Sequence, residues 1–183
     1  MPPPIIWTIG HSTRPIETFL ALLQSHGIRR LVDVRTIPRS RHNPQFNREA
    51  LRQSLQEAGI AYSHAKELGG LRKPVKDSPN LGWKNASFRG YADYMQTPAF
   101  WNAVDDLMAT ATETPTVIKC AEAVPWRCHR SMIADALLTR DWTVRHIMTQ
   151  ERADEHQLTP FAKREGPRLF YPAPADEDAP RLY

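Results

Sequence analysis

The chain has 183 residues, 41% of them hydrophobic and 24% charged, which fits one globular domain with its own core and excludes disorder as the global state. It is short for two ordinary domains side by side, and it holds no run of about 18 apolar residues from which a membrane-spanning helix would be built. Lys and Arg number 24 against 20 Asp and Glu, a net charge of +4 that permits an anionic partner without requiring one.

The charge is uneven. Residues 150–183 carry five Lys/Arg against seven Asp/Glu, which leaves 19 against 13 for residues 1–149. Eighteen of the 24 cations are Arg, the side chain suited to bidentate contact with phosphate or carboxylate. Met1-Pro2-Pro3-Pro4 has no basic stretch followed by a long apolar one, so no secretory signal is expected and a cytoplasmic location is. Cys120 and Cys128 are too few for a disulfide framework, and they read as cytosolic thiols, reactive or metal-binding.

Taken in order, Ile5-Ile6-Trp7-Thr8-Ile9 is an apolar run that predicts a buried strand ending at Gly10-His11-Ser12. Pro15 stands where a first helical residue belongs, and Ile16, Phe19, Leu20 and Leu23 follow at helical spacing up to Gly27. Leu31-Val32-Asp33-Val34-Arg35 predicts a second strand, and residues 36–45, with two prolines, a loop. Asn47 is placed to cap a helix carrying Leu51 and Leu55, with Phe46 and Leu51 as a hydrophobic staple.

Ile60-Ala61-Tyr62 is a third strand candidate. Residues 66–90 lack periodicity and predict a long loop, of the kind that often serves as a lid or binding loop. A short helix is expected over 88–95, and a longer one opens at Thr97-Pro98. Thr116-Val117-Ile118-Lys119-Cys120 predicts a strand, 127–139 a helix, and Thr143-Val144-Arg145-His146-Ile147 a last strand. This alternation predicts an α/β fold: a single three-layer domain over 1–149 with a mainly parallel sheet of about five strands flanked by helices. Residues 150–183, with five prolines, are expected to be a tail or arm, packed on the domain or partly disordered.

Open parallel sheets bind ligands beyond the C-terminal ends of their strands. His11 and Ser12 follow the first predicted strand, Asp33 and Arg35 close the second and lead to Ser40, and Cys120 and Glu122 follow the fourth. Three strand ends thus bring His, Ser, Asp, Arg, Cys and Glu to one rim. Arg127, Cys128, His129 and Arg130 stand at the start of the next predicted helix, where free N–H groups favour anions and a flanked thiol favours its thiolate. The order strand, Cys, loop, Arg, helix is loosely similar to the phosphate cradles of Cys-dependent phosphatases and the persulfide loops of rhodaneses, although Arg127 follows Cys120 by seven residues rather than about five.

Each of these residues has a plainer reading. Both cysteines fit as small core residues. Ser12 fits as a helix cap, and Asp33 as a structural partner of Arg35 or an orienter of His11. Cys120, Cys128 and His129, with His11 or Glu122, would supply metal ligands, but without the compact spacings of zinc sites. The seven Arg between 29 and 52 form either a solvated basic face or a phosphate-backbone surface, with Phe46, Tyr62, Trp83, Phe88, Tyr91 and Tyr94 near enough in sequence to stack bases. Leu68-Gly69-Gly70 marks a place where the backbone either turns tightly or approaches a ligand.

Five motifs occur in order: Gly10-His11-Ser12; Asp33-Val34-Arg35-x-x-Pro38-x-Ser40; Leu68-Gly69-Gly70; Tyr91-x-x-Tyr94-Met95; and Cys120-x-Glu122 followed by Cys128-His129-Arg130. Together, over roughly residues 5–149, they resemble the family named "domain of unknown function, 488". The resemblance implies a small cytosolic α/β protein of bacterial or archaeal type and no assigned reaction. Its landmarks fall on His11, Ser12, Asp33, Arg35, Ser40, Gly70, Tyr94, Cys120, Glu122, Cys128, His129 and Arg130. One departure touches a helix cap: Arg140-Asp141-Trp142 stands where a Gly would close the last helix.

The leading expectation is an anion site for a phosphorylated small molecule or a nucleic-acid end, with no membrane partner and no cofactor. Arg35, Arg127 and Arg130 would hold the anion, Cys120 or Cys128 would be the nucleophile, and His11, His129 or Glu122 would carry protons. The rivals are a non-catalytic nucleic-acid-binding module and a metal or redox sensor built on Cys120 and Cys128.

Overall fold

Strands that are apolar on both faces, as 5–10 and 116–120 are, can only be buried by helices on both sides, and the computed structural model, which describes residues 3–174, has that arrangement. The strands are β1 (Ile5–Gly10), β2 (Arg30–Asp33), β3 (Ala61–His64), β4 (Thr116–Cys120) and β5 (Thr143–Ile147). They pair in parallel in the order β3-β2-β4-β1-β5. A sixth strand, β6 (Ala153–Glu155), joins antiparallel to β5, with Arg145 opposite Glu155. The fold is thus a mainly parallel α/β sandwich.

Strand alternation sends neighbouring side chains to opposite layers. Leu31 and Val117, with Ile9 and Ile147, pack under helices α1 (Ile16–Ser25) and α2 (Arg48–Glu57) through Phe19, Leu23, Leu51 and Leu55. Val32 and Ile118, with Ile6 and Val144, pack under α3 (Ala86–Tyr94), α4 (Pro98–Glu113) and α5 (Arg130–Leu138) through Tyr91, Phe100, Ile133 and Leu137. Each large apolar side chain buried here contributes about 1.5–3 kcal/mol. Phe46 and Leu51, the staple pair, are both fully buried in the first layer.

Several local expectations change. Ser12 does not cap α1. It sits at φ 49, and the helix starts after Pro15 with no side-chain cap. Asn47 precedes α2 as predicted, but its Oδ1 accepts the backbone N–H of Ser40 instead of capping. Helix α3 begins at Ala86, two residues earlier than the spacing predicts, because Asn85 accepts from the N–H groups of Ser87 and Phe88. Helix α5 begins at Arg130, three residues later than predicted. Asp141 takes the left-handed conformation (φ 67) that a glycine would ordinarily supply after this helix.

Past residue 150 the described chain packs on the domain. Besides β6 it forms a hairpin of β7 (Lys163–Glu165) and β8 (Arg168–Phe170), and Leu169 and Tyr171 are buried in the α3–α5 layer. The rest of that segment, 175–183, lies outside the described residues, as do Met1 and Pro2. Among the described residues no helix is long and apolar enough to cross a membrane.

Candidate active site

Strand β4 delivers Cys120 to the C-terminal edge of the sheet, and the loop that follows leads through Cys128 and His129 into α5. Arg130, the first residue of that helix, is 1% exposed. Its side chain runs back beneath the loop. Nη1 donates to the Cys120 Sγ at 2.8 Å and to the carbonyl of Glu122, Nη2 donates to the carbonyl of Ala123, and Nε donates to Thr8 Oγ1. The guanidinium therefore serves the cysteine and the loop from inside, rather than projecting toward a ligand.

The two thiols touch, with Sγ atoms 2.8 Å apart. Burial pushes Cys120 up, but the Cys128 thiol and the Arg130 guanidinium outweigh it and hold Cys120 down, at about 6. Cys128 moves the other way: it donates to Cys120, is buried, and faces the Cys120 charge, all of which raise it. The electrostatics expected at Cys128 from its neighbours are thus found at Cys120, because the Arg130 side chain reaches strand β4 and not the thiol two residues before it. Glu122 presents its carbonyl to Arg130 and to Cys120, while its exposed carboxylate accepts from the Val124 N–H.

His129 lies beside Cys128. Its Nε2 is 3.0 Å from the Val34 carbonyl, which can only accept, so Nε2 carries the proton and Nδ1 is the acceptor, 3.7 Å from the Cys128 Sγ. Burial lowers this histidine to about 4, so it is neutral at pH 7. Gly70 packs against the ring: a Cβ there would lie 2.7 Å from Nδ1. Gly69 packs as closely on Thr36, with a Cβ 2.7 Å from its Cα. Neither glycine marks a left-handed turn; each lets backbone pack closely on a neighbouring side chain, and Gly70 also lines the cavity over the cysteines. Gly70→Ala is expected to push the ring off Val34 and cost about 1–3 kcal/mol in urea unfolding, with loss of the His129-to-Val34 hydrogen bond readable by NMR of the ring.

Above Cys120 and Cys128 opens a cavity of about 410 Å³. Arg35, Arg39 and Arg127 line it together with His129, and Ile37 and Leu71, both more than half exposed, stand at its wall. Arg35 is 7% exposed, yet its Nη1 has no hydrogen-bond partner among the described residues. A buried guanidinium N–H left unpaired is costly.

Behind Arg130 runs a chain of hydrogen bonds that the sequence reading missed. Thr8 Oγ1 is 2.6 Å from His146 Nδ1, His146 Nε2 is 2.9 Å from His156 Nδ1, and His156 Nε2 is 2.7 Å from Asp135 Oδ1. Arg130 can only donate and the Asp135 carboxylate only accepts, so Thr8 Oγ1 is the acceptor at one end of the chain and His156 Nε2 carries a proton at the other. Tyr171 and Thr159 donate to the other Asp135 oxygen at 2.7 Å each. Burial, then the neighbouring His156, lower His146 to about 3. The signals were present: Asp135 interrupts the apolar stripe of α5, and Thr8 and His146 are cross-strand partners.

On the other face of the sheet lies a second polar cluster. Asp33 accepts from Arg35 Nε at 2.9 Å, Arg35 Nη2 at 2.7 Å and Tyr62 OH at 2.8 Å, with Lys119 Nζ at 3.8 Å. Burial opposes its charge, but these partners hold Asp33 below the usual carboxylate range. Burial lowers Lys119 to about 7. His11 belongs here: its backbone N–H donates to the Cys120 carbonyl, but its ring stacks on Phe46 at 4.1 Å, and burial, then Lys119, lower it to about 2. His11 and Cys120 are thus neighbours in backbone and strangers in side chain.

The remaining candidates sit apart from the thiols. Ser40 Oγ accepts the Asn43 N–H and holds the loop after β2. Tyr94 donates to the Glu67 carbonyl under the Arg72 guanidinium. The arginine run divides: Arg29 and Arg30 border a hollow at the opposite end of β2 from Arg35 and Arg39. Phe46 and Tyr91, offered as stacking residues, are fully buried in the core, and Trp83 keeps only 6% of its surface exposed. Among the described residues no three His, Cys, Asp or Glu side chains are placed to hold a metal ion.

The family model described as Domain of unknown function DUF488 matches residues 15–137. The chain belongs to this family. The DUF488 match takes in Cys120, Cys128 and Arg130 with the arginines of the mouth, while His11, Ser12 and His146 fall outside it. No curated protein and no solved structure matches the chain.

Proposed function

We propose that this DUF488 protein is a Cys-dependent enzyme acting on an anionic, phosphate-type substrate. One observation carries the reading: a buried guanidinium lies 2.8 Å from the Sγ of Cys120, a thiol that lines a cavity together with three other arginines. In this reading Arg35, Arg39 and Arg127 hold the anion, Cys120 attacks as the thiolate, and Arg130 positions and stabilises that thiolate. Cys128 keeps its proton at pH 7 and is the nearest proton donor for a leaving group, with His129 Nδ1 behind it as acceptor.

The expected result is that Cys120 is alkylated by iodoacetamide with a midpoint near pH 6, and that millimolar phosphate slows the reaction without unfolding the protein. Alkylation with an ordinary thiol midpoint of about 8.5, or no protection by phosphate, sinks the proposal. A nucleic-acid module would instead show steeply salt-dependent binding that Cys120→Ser leaves intact.

A second reading has its own observation, the 2.8 Å approach of the two thiols. A low-pKa thiolate beside a second thiol suits reversible oxidation to a Cys120–Cys128 disulfide, with two electrons passing to a disulfide or peroxide oxidant and the remaining thiol proton to solvent. Loss of both thiol hydrogens by mass spectrometry after treatment with oxidised glutathione, reversed by dithiothreitol, would favour it.

A further inference from the structure

A second and larger cavity, of about 830 Å³, lies on the far side of the cysteine loop. Its walls include Trp83, Phe88, Trp126 and Phe161. Trp83 is braced edge-on by Phe88 and Phe161, with ring centroids 5.2 and 4.8 Å away, so this wall is preformed. Trp126 is 69% exposed although Pro125 just before it and Cys128 two residues after it are buried. Large exposed aromatic surface beside a cavity marks a place where something binds. Phe88 and Arg127 line both this cavity and the one over Cys120, so a single molecule can occupy the two.

We propose that the aromatic cavity receives the base of a nucleotide whose phosphate sits at the arginine-lined mouth over Cys120. This rests on the anionic-substrate reading above and names its substrate class. A planar heteroaromatic ring joined through a sugar to a phosphate presents the two chemistries, stacking and anion, that the adjoining cavities offer.

His146 and His156 line the aromatic cavity, but all four of their ring nitrogens are committed to Thr8, to each other and to Asp135. The histidines therefore leave the base to stacking, which every base supports, and to other polar side chains of the wall, Asn85, Glu155 and Gln157 among them.

The test titrates the full chain with AMP, CMP, ribose 5-phosphate and a 5′-phosphorylated single-stranded oligonucleotide. Binding is read by tryptophan fluorescence and calorimetry, and phosphate protection of Cys120 is measured in parallel. AMP and CMP are expected to bind about tenfold or more tightly than ribose 5-phosphate, a difference of one good stacking contact. Trp126→Ala, a change at an exposed position, is expected to remove that advantage while leaving ribose 5-phosphate affinity and phosphate protection unchanged. An oligonucleotide that binds more tightly than AMP would identify the source as a strand end, and equal or weaker binding a free nucleotide. If ribose 5-phosphate binds as well as AMP while phosphate still protects Cys120, the base site is wrong and the anion site stands. If nothing protects Cys120, both fall.

Discussion

Arg130→Met is expected to raise the Cys120 midpoint above about 6, with the Cys128 hydrogen bond still holding it down, and to destabilise the fold by about 3–5 kcal/mol. The guanidinium is buried and donates to the Cys120 thiol, to Thr8, and to the carbonyls of Glu122 and Ala123. Met replaces its bulk but leaves those acceptors unpaired. The pH dependence follows from the direction of the shift. The folded Cys120 pKa lies below its unfolded value of 9.0, so the thiolate stabilises the fold fully above pH 9 and that contribution is lost as pH falls through about 6. The stability gap between wild type and variant should therefore widen from pH 6 to pH 9, measured by urea unfolding. Arg130→Lys retains a cation without the fork and should fall between the two. A variant that unfolds more easily but keeps its Cys120 midpoint near 6 would show Arg130 to be a structural residue only.

Asp33→Asn is the other substitution with a large expected effect, and it acts on the opposite face of the sheet. The carboxylate is fully buried and is the counter-charge for both Arg35 and Lys119. Removing the charge leaves two buried cations without it, at about 3–5 kcal/mol, or a melting temperature lower by roughly 10 °C at 2–4 °C per kcal/mol. Here Lys119 sets the pH dependence. Burial has lowered it to about 7, so it needs Asp33 below that pH and not above. The deficit should be larger at pH 6 than at pH 9, with a remainder at both from Arg35. Equal deficits would mean that Lys119 stays charged throughout. Because Cys120 faces the other layer, its midpoint should stay near 6, which separates this variant from Arg130→Met.

The layers were legible in the sequence because their signals are local. Ile5-Ile6-Trp7-Thr8-Ile9 and Thr116-Val117-Ile118-Lys119-Cys120 are apolar on both faces and can only be interior strands, and Gly27 and Gly59 take the positive φ that ends α1 and α2. The sixth strand was not legible, since Ala153–Glu155 is short and polar and is a strand only because the edge of β5 accepts it.

Convergence at the strand ends was legible too, and it put Cys120, Cys128, His129, Glu122, Arg35 and Arg127 around one cavity. Side-chain direction decided the rest. His11 follows Gly10 onto the Phe46 face, and Gly10 itself must lack a side chain because a Cβ would collide with the Glu122 carbonyl. Arg130 turns inward, so the thiolate falls on Cys120 and not Cys128. Asp135, His146 and His156 come from a helix, a strand and the segment beyond residue 150, and only the folded chain brings them into line.

The most direct test of the account is an ultraviolet thiolate titration of the native protein against Cys120→Ser. The native protein should show a thiolate transition near pH 6 that is absent from the variant, at pH values where both remain folded by circular dichroism. A native protein whose thiolate absorbance rises only near the ordinary thiol value of about 8.5, with the variant unchanged below it, would contradict the account. Arg130 and Cys120 would then be packing partners, and the arginine-lined cavity above them would have no nucleophile.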